Sequence, residues 1–184
     1  MLRHHATNKY LNVKMSYARV VATDHVDRVV DQWMHERPDL DPSPIRIIGR
    51  ISRLSRNIDR RLDVVFGSHG LEAWEYDVLA SLRRSGPPYE LTAGELLDAL
   101  MITSGAVTNR IDRLEARGYV RRRKSSADKR VVLIRLTAAG RAAIDAAAPD
   151  HLANEAAILA DLSPAEQRQL ERLLRKVQRG LGAS

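Results

Sequence analysis

The chain has 184 residues, no cysteine, and a formal net charge of +7 from 30 basic and 23 acidic residues. That length is enough for one domain with a real core, and the absence of cysteine excludes disulfides, thiol catalysis and iron–sulfur ligation. No run approaches 18 uncharged apolar residues, so no membrane span is expected, and a cytoplasmic location is the expectation.

Residues 1–23 mix His, Arg, Lys and Asn with no period and without the apolar centre of a secretion signal. They read as an N-terminal tail without predicted structure, with Met15 as an alternative start. From Asp24 the pattern turns helical: Val26, Val29, Val30 and Trp33 recur at i, i+3, i+4 and i+7, and Pro38, Pro42 and Pro44 close the segment. A longer helix follows on Ile47, Ile51, Leu54, Ile58, Leu62 and Val65. Its other faces carry Arg46, Arg50, Arg53, Arg56, Arg60 and Arg61, and Gly67 and Gly70 end it. Leu71 to Leu82 predicts a third helix on Trp74, Val78 and Leu82, broken by Gly86-Pro87-Pro88. Thr92 and Glu95 form a capping-box pattern ahead of Leu96, Leu97 and Leu100. Thr103 or Ser104 can cap a further helix, with Val107, Ile111 and Leu114 on one face and Gly118 as its stop.

The period then changes. Tyr119 to Lys124 and Arg130 to Leu136 are short Val-, Ile- and Arg-rich runs around a polar turn, which predicts a β-hairpin. Thr137 caps an Ala-rich helix that Pro149 is expected to interrupt. Ser163-Pro164-Ala165-Glu166 combines a capping box with proline at the first helical position, and Leu170, Leu173, Leu174 and Val177 form the expected buried face of the last helix.

Charge is concentrated at the hairpin. Arg117, Arg121, Arg122, Arg123, Lys124, Lys129, Arg130 and Arg135 face the single acid Asp128, so this stretch carries the whole net charge and the remainder is neutral. A neutral body with one basic hairpin points to a polyanion partner, although a solvated basic loop has the same composition. Two short helices, about Ala93 to Leu100 and Ser104 to Arg117, joined by a three-residue turn and followed by a hairpin, describe a winged helix-turn-helix. Since an α-helix fits the major groove, the residues opposite Val107, Ile111 and Leu114 become the readers: Ser104, Gly105, Thr108, Asn109, Arg110, Asp112 and Arg113. Arg123, Lys124, Lys129 and Arg130 of the hairpin join them. Arg130 is placed to enter the minor groove with Asp128 orienting it. The same positions also fit an ordinary exposed helix face, and Asp112 can pair with a neighbouring arginine.

The run DKRVVLIRLTAAGR, residues 128–141, resembles the D-x-R and L-T-x-x-G signature of the MarR family. SGAVTNRIDRLEARGYVRR resembles that family's recognition helix and first wing strand. The resemblance covers about Ile47 to Leu181. It implies a mainly α fold with a small β-hairpin, in which 24–184 form a single domain. Residues 24–67 and 137–184 would supply homodimerisation helices, and 71–136 the winged helix-turn-helix that binds double-stranded, pseudo-palindromic operator DNA.

The additional first helix, HVDRVVDQWMHERPDLD, with EYDVLASLRRSGPP, resembles the urate-responsive PecS/UrtR branch of that family. The resemblance implies a ligand pocket of Trp33, Asp77, Arg84 and Arg122, and a repressor released from its operator by urate or a related purine. The residue types suit a planar anion: an aromatic wall, arginine forks and an orienting acid. Each also has a plain reading, with Trp33 ending an apolar face, Asp77 and Arg84 lying exposed, and Arg122 touching phosphate. A MarR-type regulator of another phenolic or carboxylate ligand, and a ligand-independent architectural DNA-binding protein, remain the alternatives. No G-x-S-x-G, P-loop, dinucleotide glycine motif or H-E-x-x-H is present, and the six histidines have no metal-ligand spacing, so neither catalysis nor a cofactor or metal is expected.

Overall fold

The computed structural model describes residues 23–100, 104–126 and 128–182; the N-terminal tail and the predicted turn at 101–103 lie outside the described residues. The chain divides into two compact units at Arg56–Asn57, inside the second helix. None of the described helices is long and apolar enough to cross a membrane.

The first unit holds α1, His25–Glu36, and the start of α2, Ile45–Ser68. Asp24 caps α1 by accepting from the Val26 and Asp27 amides at 2.7 and 3.0 Å, while Asp27 accepts from the Asp24 amide at 3.1 Å. Val26 and Val30 are buried. Gly49 lets the two helices approach, since a Cβ there would sit 3.2 Å from a Val26 methyl. Arg46 and Arg50 bind Asp27 at 2.6 and 2.8 Å, and Arg50 reaches Asp24 at 3.0 Å. Hydrogen bonding from Arg50, then from the Asp24 amide, holds the Asp27 carboxyl below the usual carboxylate range.

The second unit continues with the rest of α2, then α3 (Ala73–Arg84), β1 (Glu90–Thr92), α4 (Ala93–Leu100), α5 (Ser104–Ala116), β2 (Val120–Lys124), β3 (Val132–Leu136), α6 (Ala138–Ile158) and α7 (Pro164–Gly180). Its centre is α3, which packs against α4, α5, α6 and β3. Surrounded in this way, α3 buries Val78, Leu79 and Leu82 completely, and these meet Leu96, Ile111, Leu114, Ile134 and Ile144 from the neighbouring elements.

Two expectations are corrected. The predicted two-stranded hairpin is part of a three-stranded antiparallel sheet in the order β1-β3-β2, with Leu91 opposite Ile134 and Arg122 opposite Ile134 on the other side. A three-residue strand such as β1 is too short to show a period. Pro149 does not interrupt α6, which continues to Ile158. The missing amide removes one bond to Asp145, but both halves are anchored. Ala147 is buried on one side, and on the other His151 packs on the Phe66 and Tyr76 rings, centroids 5.3 and 4.6 Å away.

The L-T-x-x-G motif acquires a physical role at the junction of wing and α6. The Thr137 hydroxyl accepts from the Gly140 amide at 3.0 Å and donates to the Gly118 carbonyl at 2.7 Å. The Thr137 amide donates to the Tyr119 carbonyl at 3.1 Å. Gly140 lies so close to this strand start that a Cβ would fall 2.0 Å from the Tyr119 oxygen.

The last helix departs from expectation in its packing. Ser163, Pro164 and Glu166 form the predicted N-terminal cap, yet α7 buries no residue. Leu173, Leu174 and Val177 are exposed along it, as are Ile47, Ile51 and Leu54 along α2.

Candidate nucleic-acid interface

Thr92 and Glu95 make their reciprocal cap, with the Glu95 carboxylate 2.7 Å from the Thr92 amide and the Thr92 hydroxyl 3.1 Å from the Glu95 amide. This starts α4, and Leu96 seats it in the core. Helix α5 is anchored by Ile111 and Leu114, leaving Thr108 and Asn109 exposed as predicted. Ser104 and Gly105 fall in its first turn, and the side chains of Ser104 and Val107 lie outside what is described.

The arginines of α5 face α3. Trp74 lies under both Arg113 and Arg110, with guanidinium carbons 4.6 and 5.7 Å from the ring. Glu72 accepts from the Trp74 indole at 2.6 Å and from Arg113 at 2.5 Å. Those bonds, the indole's first, lower the Glu72 carboxyl below its usual range. One turn on, Arg117 pairs with Glu75, whose side chain is only 1% exposed, and donates to the Gly70 carbonyl at 2.8 Å. Glu75 also accepts from the Glu72 amide at 2.9 Å, so the same carboxylate caps α3 and fixes the end of α5.

The basic hairpin separates into a base and a tip. At the base, Arg123 binds Glu90 in a fork, with Nε 2.7 Å from the carboxylate, and Arg135 approaches the same group at 4.0 Å. Arg122 is gripped by two acids of α5. Its Nη2 lies 2.6 Å from Asp112, its Nη1 lies 2.5 Å from Glu115, and its amide donates to Glu115 at 2.8 Å. Burial pulls the Arg122 pKa down, but Asp112 and Glu115 more than offset this and hold it above its ordinary value. At the tip, Arg130 is 92% exposed on its side chain. Asp128 orients it, accepting from its amide at 2.9 Å and its Nη2 at 3.2 Å. Among the described residues, Arg121, Lys124 and Lys129 are exposed with no ion-pair partner.

Of the four ligand-class residues, the three in the second unit fall at two places. Asp77 and Arg84 line one small hollow of about 170 Å³ with Ser81, Ala99 and Leu100, between α3 and the end of α4. Arg84 donates to the Ser81 hydroxyl at 3.2 Å, and that hydroxyl donates to the Asp77 carbonyl at 2.8 Å. Asp77 keeps an open face to solvent. Even so, the protein crowded around it raises its carboxyl above the usual range, against the pull of Arg110, Arg84 and His151. Arg122 does not line this hollow, being held by Asp112 and Glu115. Trp33 belongs to the first unit, on α1, with 46% of its surface exposed.

Sequence reasoning missed the acids that organise this surface. Glu72, Glu75 and Glu90 sit 33 to 42 positions from the arginines they bind, beyond the reach of any local pattern. The only hint was the acidic first turn of α3. The proximity of Arg110 to Asp77 was likewise invisible, because the sequence pattern places Arg110 on the DNA-reading face.

The arrangement of α3 to α5 with a sheet whose outer hairpin projects a solvent-exposed basic tip is a winged helix-turn-helix. A sequence model of the MarR family matches residues 69–131. The HTH-type transcriptional regulator PecS of Dickeya dadantii (strain 3937) is 44% identical over 156 residues, 85% of this chain and 94% of that protein. A cysteine-to-serine variant of MarR from E. coli, complexed with operator DNA, superposes with a TM-score of 0.64 at 28% identity, covering 79% of this chain and 96% of that one. Bordetella bronchiseptica BpsR, in a structure addressing regulation of its DNA binding by 6-hydroxynicotinic acid, gives 0.58 at 29% identity over 70% of this chain and 92% of that one. The chain belongs to the MarR family of DNA-binding transcriptional regulators, and its relatives are regulators, not enzymes.

Proposed function

We propose that the chain is a homodimeric repressor that binds a pseudo-palindromic operator through α5 and the wing and releases it on binding a small anion such as urate or a related purine. The observation that carries the reading is the hollow at Asp77 and Arg84. It abuts the C-terminal end of α4, and Arg110 of the recognition helix acts on the Asp77 charge. An anion taken up by Arg84 competes for the field that now stabilises Asp77, so occupancy is felt on α5. The hollow is below the roughly 300–1,000 Å³ of a drug-sized pocket, which favours a one- or two-ring acid. The purine assignment rests on the resemblance of the first helix and of EYDVLASLRRSGPP to the urate-responsive branch, and the 6-hydroxynicotinic acid studied with BpsR supports the second reading, another aromatic acid.

The dimer reading rests on the uncovered apolar faces. Leucine stripes such as that of α7 are held in water only when something covers them, and a second copy of the same helices is the simplest cover. Such a dimer would set its two recognition helices about one turn of DNA apart, roughly 34–36 Å. Coupling of about 1–3 kcal/mol between ligand and DNA would weaken operator binding roughly 5–150-fold. A gel-shift titration with urate tests this. Loss of the operator complex is expected, while a complex that survives millimolar urate overturns the purine assignment. Substitution of Arg84 that leaves the ligand response unchanged overturns the pocket.

A further inference from the structure

We propose that Arg122, Asp112 and Glu115 form a positioning triad that sets the wing against the recognition helix and so determines operator-over-random discrimination without any of the three touching a base. The inference rests on the reading that α5 and the wing are the DNA-contacting elements. A phosphate contact at this position has to compete with two carboxylates for the guanidinium. Each terminal nitrogen of Arg122 donates to one of the two acids, its backbone amide donates to Glu115, and its side chain is only 32% exposed. The acids are equally informative. Asp112 and Glu115 sit on the helix that must approach a polyanion, where an unneutralised carboxylate opposes binding. Held by Arg122, they act on the protein.

The topology explains why such a device is useful. Strand β2 is an edge of the sheet, and the amide of Arg122 is taken up by Glu115, so α5 satisfies the edge at this position. Covalently, α5 and β2 are joined by the short turn Arg117–Tyr119, in which Gly118 has φ +72°. A helix in one groove and a wing tip in the next require a fixed mutual angle; Thr137 and Arg117 hold the turn itself, and the triad ties the two elements together beyond it, alongside the packing of Ile111, Leu114 and Val120. On the opposite side of α5 the polarity is reversed, with Glu72 and Glu75 at the start of α3 holding Arg113 and Arg117. The recognition helix is therefore suspended between two sets of ion pairs, one offering acids to its bases and the other a base to its acids.

The test uses the full chain and an operator fragment selected from a random pool by the wild-type protein. Asp112→Asn combined with Glu115→Gln, and separately Arg122→Met, are assayed against that fragment and random DNA at matched salt. The triad predicts at least a tenfold fall in the operator-to-random affinity ratio for both variants, with random-DNA affinity of the acid-free variant unchanged or raised. If Arg122 is instead a phosphate contact, freeing it by removing the acids strengthens both affinities alike and the ratio holds, which overturns the proposal. Arg122→Lys, which keeps the charge and loses the two-acid fork, guards against gross unfolding. A melting temperature near wild type with the reduced ratio supports positioning, and a preserved ratio overturns it. Failure of the underlying reading is separable, because Arg130→Ala would then leave both affinities untouched.

Discussion

The tip and the base of the basic hairpin are made of the same residue types and do opposite things. At the base, Arg117, Arg122 and Arg123 each meet carboxylates from α3, α5 or β1 and are consumed in holding the fold. At the tip, Arg130 is oriented by one exposed acid and stays almost wholly in solvent, beside an unpaired Lys129. Net charge along the chain does not distinguish these arginines; the distance of each to an acid does. The net +7 is unchanged by these pairings, but around the hairpin the described bases without an acid partner are Arg121, Lys124 and Lys129, with Arg130 exposed beside Asp128.

The sharpest way to break the base without touching a charge is Gly140→Ala. The added methyl would meet the Tyr119 carbonyl, which is backbone and cannot swing aside. A loss of about 3 kcal/mol or more is expected in denaturant unfolding, since the strand start and the Thr137 cap must move together. A variant as stable as the wild type would show that this junction is looser than its geometry.

At the tip the expectation reverses. Replacing Lys129 and Arg130 by alanine should leave the melting temperature unchanged and weaken DNA binding by about 1–3 kcal/mol, with the salt dependence reduced by roughly one unit for each phosphate no longer neutralised. Glu75→Ala is the matched change at the base. It leaves Arg117 and the Glu72 amide without their shared acceptor, which should cost about 1–2 kcal/mol of stability, kept low because the arginine retains solvent. Loss of DNA affinity in that variant at temperatures where it is folded would blur the division between tip and base.

What the sequence shows and what it conceals follow the same line. Among the described residues, periodicity located the α-helices because apolar faces repeat at three and four residues, and the capping boxes at Thr92 and Ser163, with the Thr137 cap, marked the starts of α4, α7 and α6. The wing was legible because two short Val-, Ile- and Arg-rich runs flank a polar turn. The missed features are those set by contacts distant along the chain. Strand β1 exists only because β3 offers it an edge, and Glu90, which it carries, defines Arg123 as a structural residue. The apolar face of α7 was legible as a face, yet its burial was not, because burial depends on what lies opposite. Asp77 and Arg84 were found as a pair seven residues apart and do share a hollow, whereas Arg122 was drawn into a different cluster by Asp112 and Glu115.

Acid titration separates the base from the ligand hollow, with opposite signs. Glu90 is held below its ordinary range, chiefly by Arg123, so its contribution to stability is complete above the usual glutamate pKa and is lost as pH falls through the lowered folded value. The stability gap between wild type and Glu90→Gln should therefore close on acidification. Asp77 is raised, chiefly by burial, so its folded form prefers the proton; that preference contributes below the usual aspartate pKa and disappears as pH rises through the raised value. Asp77→Asn should then be neutral or slightly stabilising at neutral pH. If the hollow takes an anion beside Arg84, its affinity should increase as pH falls through the Asp77 titration while the ligand stays ionised, because protonation removes a like charge from the site. This dependence should vanish in Asp77→Asn. Calorimetric titration with urate across mildly acid to neutral pH reads it directly, and a pH-independent affinity in the wild type would place the ligand away from Asp77.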